Sequence, residues 1–308
     1  ALYLYAKGTL PKTPAIIAMV VLACLDLGMV NSDYLNKDSY VPENYIERAQ
    51  LQPTQADSKI LQDKTYFRVA DYSQGPPSQS ARACAFHKSV GGYFAAKPLL
   101  YQELWNGYNM DDGNVALKQN GSIFNMMNVK YFIISPTQVM ENPTAMGHAW
   151  FVAEIKQVDD ANQELEGLAG LPVQTTAVVQ KKYAAKYLEG LSNVNNPADK
   201  IYIKTYHPDT LTYVSETAGE RFAVFSEMYY PNGWTVYIND KKVEGFVKTN
   251  YMLRGLRVPA GKNVIKMVFE PQAVILGTKV GAATSILILL WLGFIVFKYV
   301  KEKGEIEA

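Results

Sequence analysis

The sequence has almost no net charge and few charged residues of either sign. It contains 308 residues, with 30 Lys and Arg against 29 Asp and Glu, a formal net charge of +1. Nucleic-acid-binding proteins usually carry a clear basic excess, so this balance argues against that class. Charged residues make up only 19% of the chain while hydrophobic residues reach 48%. Because an ordinary soluble domain has about 25% charged residues, we expect part of the chain to lie in a lipid bilayer.

Cysteine and histidine are equally scarce. Cys24 lies inside a long apolar segment and Cys84 lies outside it, so the two are not expected to form a disulfide. The three histidines are far apart in the sequence, and Cys84 with His87 lacks a second pair of ligands. We therefore expect no metal site, because a zinc site needs more ligands than this spacing supplies.

The motifs of common soluble enzymes are missing as well. The sequence has no G-x-S-x-G nucleophile motif and no phosphate-binding P-loop, and the pair Gly91-Gly92 does not belong to a dinucleotide-binding fingerprint. No catalytic residue and no cofactor are therefore assigned to this chain.

Two long apolar segments lie near the ends of the chain. Residues 280–297, between Lys279 and Lys298, contain no charge and are long enough to cross most of a bilayer core. Residues 13–32 are mostly apolar and contain Asp26 near their far end. We predict two transmembrane helices; for the first segment a signal peptide is the alternative, although no small-residue cleavage site follows it.

The lysines beside these segments predict the orientation of the chain. Lys7 and Lys12 precede the first segment, and Lys298, Lys301 and Lys303 end the second. Positive residues next to membrane helices are retained in the cytoplasm, and two spans return the chain to its starting side. Both lysine groups are therefore predicted to be cytoplasmic, with residues 31–272 outside, in a multi-pass protein of the cytoplasmic membrane.

The start of the chain suggests a larger protein. Residues 1–6 are apolar and are followed by a short basic turn, as at the end of a further membrane helix. The chain is accordingly interpreted as the C-terminal piece of a polytopic protein, whose remaining transmembrane helices would be partners together with the bilayer. The predicted division is 1–30 for the first membrane segments, 31–198 for a mixed α/β region, 199–275 for a β-sandwich and 276–308 for the last helix and tail.

The outer region changes its pattern along the chain. Residues 53–63 have helical spacing with Thr54 as a possible N-cap, residues 98–108 predict another helix, and residues 65–71 and 129–135 predict strands. From residue 200 onward, seven short strand-like runs are separated by tight turns such as PNG and PAGK. The predicted fold class is therefore α+β, mainly β, with a C-terminal antiparallel sandwich flanked by transmembrane helices.

Small residues recur in the last apolar segment. Gly277, Gly281 and Ser285 are spaced by four and would form a smooth stripe on one face of the helix. Such a stripe allows neighbouring helices to approach closely, so we predict helix packing here, with chance as the alternative.

Several segments together resemble one protein family. These segments are FSEMYYPNGWTVYINDKKVEGFVKTNYMLRGLRVPAGKNVIKMVFEP at residues 225–271, FHKSVGGYFAAKPLLYQEL at 86–104, NMMNVKYFIIS at 125–135, AWFVAEI at 149–155 and the first apolar segment with Asp26-Leu27. In this order, and followed by a final membrane helix, they are similar to the YfhO family of bacterial membrane proteins. The resemblance covers nearly the whole chain.

The resemblance implies a function for the whole protein. The family is similar in arrangement to glycosyltransferases of the GT-C type, which transfer a sugar from a polyprenyl-phosphate carrier to an envelope polymer, such as a teichoic acid, on the outer face of the membrane. The catalytic acidic residue of such enzymes lies in an early outer loop that this chain does not contain. Only a groove for the glycan acceptor is expected here. The alternative is a non-enzymatic envelope scaffold or glycan-binding protein.

Five residues are candidates for that groove. Tyr and Trp rings stack on sugars while their polar atoms bind hydroxyls. Lys88 and Tyr93 flank the glycine pair, where the backbone can approach a ligand closely, and Tyr230, Trp234 and Arg254 lie in the predicted sandwich. The competing interpretations are a tight turn for the glycines and core or membrane-interface positions for the aromatics.

Overall fold

The computed structural model describes residues 2–34, 36–42, 44–45, 52–191 and 196–306. The chain divides into two compact units, residues 1–53 and 54–308. The predicted segments 1–30 and 276–308 extend to residues 1 and 308, which lie outside the described residues.

The first unit is helical. It contains α1 (Leu2–Ala6), α2 (Lys12–Tyr34) and a short 3-10 turn at Lys37–Ser39. Helix α2 covers the predicted first span and has a mean hydropathy of 2.1 over its most apolar window. Its length and composition are sufficient to cross a membrane.

The second unit ends in a still longer apolar helix, numbered α10 (Gln272–Ile306) after the helices described below. Its stretch Gln272–Lys298 has a mean hydropathy of 2.4, and none of its most apolar window is buried in the protein. Within the described residues, two helices are therefore long and apolar enough to span a membrane, as predicted.

Between residues 54 and 191 helices and strands are mixed. The helices are α3 (Gln55–Ile60), α4 (Arg82–Phe86), α5 (Leu99–Gly107), α6 (Gly113–Gln119), α7 (Gly121–Met126), α8 (Ala161–Glu166) and α9 (Lys181–Leu188). The strands are β1 (Arg68–Asp71), β2 (Val129–Ser135), β3 (Gln138–Glu141), β4 (Ala149–Val152), β5 (Glu154–Val158) and β6 (Thr176–Gln180). The predicted helices at 53–63 and 98–108 are confirmed over Gln55–Ile60 and Leu99–Gly107, and the strand at 129–135 is confirmed over its full length. The predicted strand at 65–71 is confirmed only from Arg68 onward.

Local sequence explains where α3 begins. Thr54 accepts a hydrogen bond from the Asp57 backbone N–H at 3.2 Å, and the Asp57 carboxylate accepts one from the Thr54 backbone N–H at 2.8 Å. This reciprocal pair is a capping box, which satisfies backbone donors that the helix itself leaves open.

The second half of the unit is built of strands, namely β7 (Lys200–His207), β8 (Thr210–Thr217), β9 (Arg221–Met228), β10 (Trp234–Ile238), β11 (Lys241–Val243), β12 (Val247–Thr249), β13 (Leu253–Val258) and β14 (Gly261–Phe269). The predicted run KVEGFVK is divided into β11 and β12, which lie in different sheets. The tight turn Asn239-Asp240, with φ of 50° and 61°, joins β10 to β11. Asn and Asp adopt this left-handed conformation more readily than most residues, which suits a two-residue hairpin.

Four sheets result from these strands. An antiparallel sheet of five strands has the order β11-β10-β14-β8-β7, and one of four strands has the order β12-β13-β9-β4. Strands β1 and β2 pair in parallel with β3 antiparallel beside them, and β5 and β6 form a parallel pair.

The five- and four-stranded sheets share one buried hydrophobic cluster. The five-stranded sheet contributes Tyr213 and Val236, and the four-stranded sheet contributes Phe225 and Leu256. The rings of Tyr213 and Phe225 meet edge to face with their centres 4.9 Å apart. In β10, Val236 and Ile238 are buried as the alternating pattern predicts.

A second cluster joins the two halves of the unit. It contains Trp105 and Phe124 from the mixed half together with Phe222 and Leu253 from the strand-rich half. Strand β4 also pairs with β9 across the predicted boundary at residue 199. That boundary stays a prediction, and the two halves share both a sheet and a core.

Candidate functional site

A cavity of about 550 Å³ lies beside the loop that connects α4 to α5. We call residues 87–98 the pocket loop and the cavity the loop pocket. One wall is formed by the pocket loop and Tyr101 of α5, and the other by Ser226, Glu227 and Met228 at the end of β9 together with Met252. Both walls belong to the second unit.

Backbone contacts hold the pocket loop in place. The Val69 N–H donates to the Lys88 carbonyl at 2.9 Å, and the Val90 N–H donates back to the Val69 carbonyl at 3.0 Å. The Gly92 N–H donates to the carbonyl of Pro77 at 2.8 Å. The loop is thus tied to β1 on one side and to the 3-10 turn Pro77–Gln79 on the other.

The glycine pair is required by this geometry. A Cβ on Gly91 would lie 2.2 Å from the Pro77 carbonyl oxygen, which is too close for any side chain. Gly92 has a φ of +128°, where residues with a Cβ are strained. The two glycines therefore allow the backbone of the pocket loop to lie close to the backbone of Pro77.

The floor of the loop pocket contains an ion pair. Arg68 Nη2 lies 2.9 Å from Glu227 Oε1, and the two side chains are only 16% and 12% exposed. Arg68 Nη1 also donates to the carbonyls of Met127 at 3.0 Å and Ser226 at 2.8 Å. One guanidinium therefore joins β1 to β9 and leaves a charged pair at the base of a mainly apolar cavity.

The surroundings set the charge states of these groups. Burial by itself would lower the pKa of Arg68, but the Glu227 carboxylate and nearby tyrosines raise that pKa above its ordinary value. Burial, with the Asp111 carboxylate, raises the pKa of Tyr101, whose hydroxyl donates to the Val90 carbonyl. Arg68 is thus charged and Tyr101 neutral at any physiological pH.

A half-buried histidine lies close to the ion pair. The ring of His148 packs against Tyr66 with the ring centres 3.9 Å apart, and its Nδ1 has no hydrogen-bond partner among the described residues. Burial lowers its pKa to about 4, and the positive charges of Arg68 and Lys88 act in the same direction, against Glu227. His148 is therefore neutral at neutral pH.

The five residues predicted to bind a glycan do not form one group in the structure. Tyr93 lines the loop pocket and is 76% exposed. Lys88 is exposed, and its Nζ lies 4.6 Å from the ring centre of Tyr66 and 5.3 Å from that of Tyr206. The structure therefore brings Tyr93 to the cavity and places the Lys88 ammonium over two tyrosine rings.

The other three candidates form a group behind the β9 wall. The guanidinium of Arg254 lies 4.1 Å from the Trp234 ring centre, and its Nε donates to the Met228 carbonyl at 2.8 Å. Trp234 and Tyr230 pack near Phe269, with ring centres 5.2 Å and 6.4 Å away. Arg254 is buried and Tyr230 is half exposed. Their role in binding stays a prediction.

The predicted packing stripe lies in α10. Among the described residues no atom comes within 4 Å of the position that a Cβ would take on Gly277 or Gly281, and Ser285 Oγ donates to the Gly281 carbonyl at 2.9 Å. The stripe is open, and its role in helix packing stays a prediction.

Sequence reasoning missed several residues of the cavity, namely Arg68, Phe94, Lys97, Glu227 and Met228. A signal for two of them was present. Arg68 and Glu227 are charges in largely apolar strand patterns, which also contain Asp71 and Arg221, and a charge in a buried strand needs a partner. The pairing itself depends on residues far apart in sequence and is visible only in the fold.

In the described part of the chain no group of three or more His, Cys, Asp or Glu side chains is placed to hold a metal ion, and the expected absence of a metal site stays a prediction. Comparisons with protein-family models, with curated proteins and with solved structures find no significant match to this chain.

Proposed function

We propose that this chain is the outer-facing part of an integral membrane protein and that its loop pocket binds the glycan of a cell-envelope polymer. The observation that carries the proposal is the loop pocket itself, an aromatic-edged cavity with a charged pair at its base. Ligand sites are typically concave and mostly apolar with a few well-placed polar groups. We infer further that the five- and four-stranded sheets form a β-sandwich, which supports the β9 wall.

The lining residues have the chemistry that a sugar needs. Tyr93 offers an exposed ring face for stacking. Ser89 and Lys97 border the same space and supply polar atoms for hydroxyl groups. Glu227 retains an oxygen, Oε2, besides the Oε1 that binds Arg68. A saccharide would stack on the rim and hydrogen-bond at the base.

The resemblance to the YfhO family extends this proposal to the whole protein. There, the bound glycan would be the acceptor, and the sugar would come from a polyprenyl-phosphate donor. In this proposal the residues of this chain bind and orient the acceptor, and the chemical step belongs to parts of the protein outside it.

Binding is tested on the full chain in lipid nanodiscs. We expect saturable binding of teichoic acid or another envelope glycan, measured by calorimetry or a glycan array, and loss of binding in Tyr93→Ala. The matched control is Tyr202→Ala, which removes another largely exposed tyrosine, from β7. Equal binding by both variants, or none by the folded protein, would contradict the proposal.

Orientation is tested with the natural cysteines. Cys84 is exposed at the rim of the loop pocket, and Cys24 lies in α2. A membrane-impermeant maleimide added to intact cells is expected to label the chain, and Cys84→Ser is expected to abolish the label. Labelling only after the membrane is permeabilised would place the loop pocket on the cytoplasmic side.

A further inference from the structure

The pocket loop and the start of α5 expose large apolar side chains. Tyr93, Phe94 and Leu99 are 76%, 66% and 69% exposed. The backbone bonds of the loop hold this segment in place, and Lys97 Nζ adds a hydrogen bond of 2.9 Å to the Ser78 carbonyl. Grouped apolar side chains on a held segment indicate an interaction surface. We call Tyr93, Phe94 and Leu99 the apolar tip.

A chain of contacts within the second unit connects the apolar tip to the base of α10. Tyr93 and Phe94 border the loop pocket, and Met228 forms its opposite wall. The Met228 carbonyl accepts a hydrogen bond from Arg254, which stacks on Trp234. The Trp234 ring in turn contacts the ring of Phe269, and α10 begins at Gln272, just beyond it.

The segment that carries the apolar tip contains basic residues and no acidic ones, although in the fold Arg82 pairs with Asp57 and Glu227 lines the adjoining loop pocket. Residues 72–102 include Arg82, Lys88 and Lys97 but no Asp or Glu. Anionic lipid headgroups attract such basic segments. Tyr and Trp also favour the headgroup region, where the ring is apolar and the hydroxyl or N–H stays hydrated.

We propose that the apolar tip lies in the headgroup region of the bilayer that α10 crosses, so that the loop pocket opens beside the membrane surface. The occupant of this surface is the lipid bilayer. The inference rests on the membrane location in the proposed function but not on the glycan ligand. It implies that a ligand reaches the loop pocket along the membrane surface.

The depth of a spin label tests the proposal. The full chain carries Cys24→Ala and Cys84→Ser, and a nitroxide is attached at Phe94→Cys in nanodiscs that contain phosphatidylglycerol. Dissolved oxygen concentrates in lipid, and a nickel chelate stays in water. Compared with a label in water, we expect the label at position 94 to collide rarely with the nickel chelate and still to collide often with oxygen.

Two further label positions serve as controls, and a third repeats the test. Leu289→Cys lies in α10 and reports whether that helix is in lipid. Tyr202→Cys, largely exposed on β7 away from the strand end that leads into α10, reports water. Leu99→Cys repeats the test at the apolar tip if the variant at Phe94 does not fold.

Each outcome has one meaning. Lipid contact at Leu289 and Phe94, with water at Tyr202, supports the proposal. Lipid contact at Leu289 with water at Phe94 and Leu99 overturns this inference and leaves the proposed function intact. Loss of collisions with both reagents at Phe94 means that protein covers the tip, which also overturns it. Water at Leu289 overturns the membrane location, and this inference with it.

Discussion

Replacing Arg68 with Met should destabilise the second unit strongly. The change removes three hydrogen bonds, to Glu227 and to the carbonyls of Met127 and Ser226, and leaves the Glu227 carboxylate without its partner. Removing one partner of a buried ion pair costs about 3–5 kcal/mol, because the remaining charge stays desolvated. The two side chains keep 16% and 12% exposure, so we take the lower end of that range, about 3 kcal/mol.

Thermal unfolding followed by tryptophan fluorescence measures this loss. For a region of this size each kcal/mol changes the melting temperature by about 2–4 °C, so Arg68→Met should lower it by about 6–12 °C. Adding Glu227→Gln to this variant should recover part of the loss, because the unpaired charge disappears. Arg68→Lys should lose less than Arg68→Met, since it keeps the positive charge.

An exposed ion pair provides the control. Lys181 and Asp159 are paired at 2.6 Å, but their side chains are 59% and 63% exposed. Exposed pairs contribute about 0–1 kcal/mol, so Lys181→Met should leave the melting temperature nearly unchanged. If Arg68→Met lowers it no more than Lys181→Met does, the buried pair does not join the two halves as described.

Two further changes test the core and the half-buried His148. Gly255→Ala should destabilise the protein by about 1–3 kcal/mol through overpacking, because its Cβ would lie 2.3 Å from Thr249 Oγ1 and 2.4 Å from the Phe222 ring. The matched control is Gly245→Ala, where the space around the Cβ position is open. Equal melting temperatures of the two variants would contradict this packing. Burial lowers the pKa of His148 to about 4 from an ordinary 6.5, so the unfolded chain binds a proton at this residue more readily than the folded chain does. The stability that comes from the neutral ring is therefore complete above pH 6.5 and is lost as the pH falls toward 4. Between pH 7 and 5 the native protein should therefore lose more stability than His148→Gln, measured by melting temperature, and parallel curves would show that this histidine is not the titrating group.

Much of the local structure follows from short-range rules. Thr54 and Asp57 specify the start of α3, because the capping box needs only residues three apart. The alternation in β10 places Val236 and Ile238 inside, because successive strand residues point to opposite faces. The lengths of the two apolar helices also follow from composition.

The sequence by itself therefore determined some of the helices and strands in their order along the chain, the two candidate spans and the antiparallel character of the second half. Each of these depends on neighbours within a few turns of the chain. The tertiary structure decided which strands share a sheet, that KVEGFVK divides between two sheets, and that Gly91 approaches Pro77. Only the tertiary structure showed that Arg68 pairs with Glu227, because such contacts arise when segments distant in sequence pack together. Burial makes an unpaired charge costly at such a place.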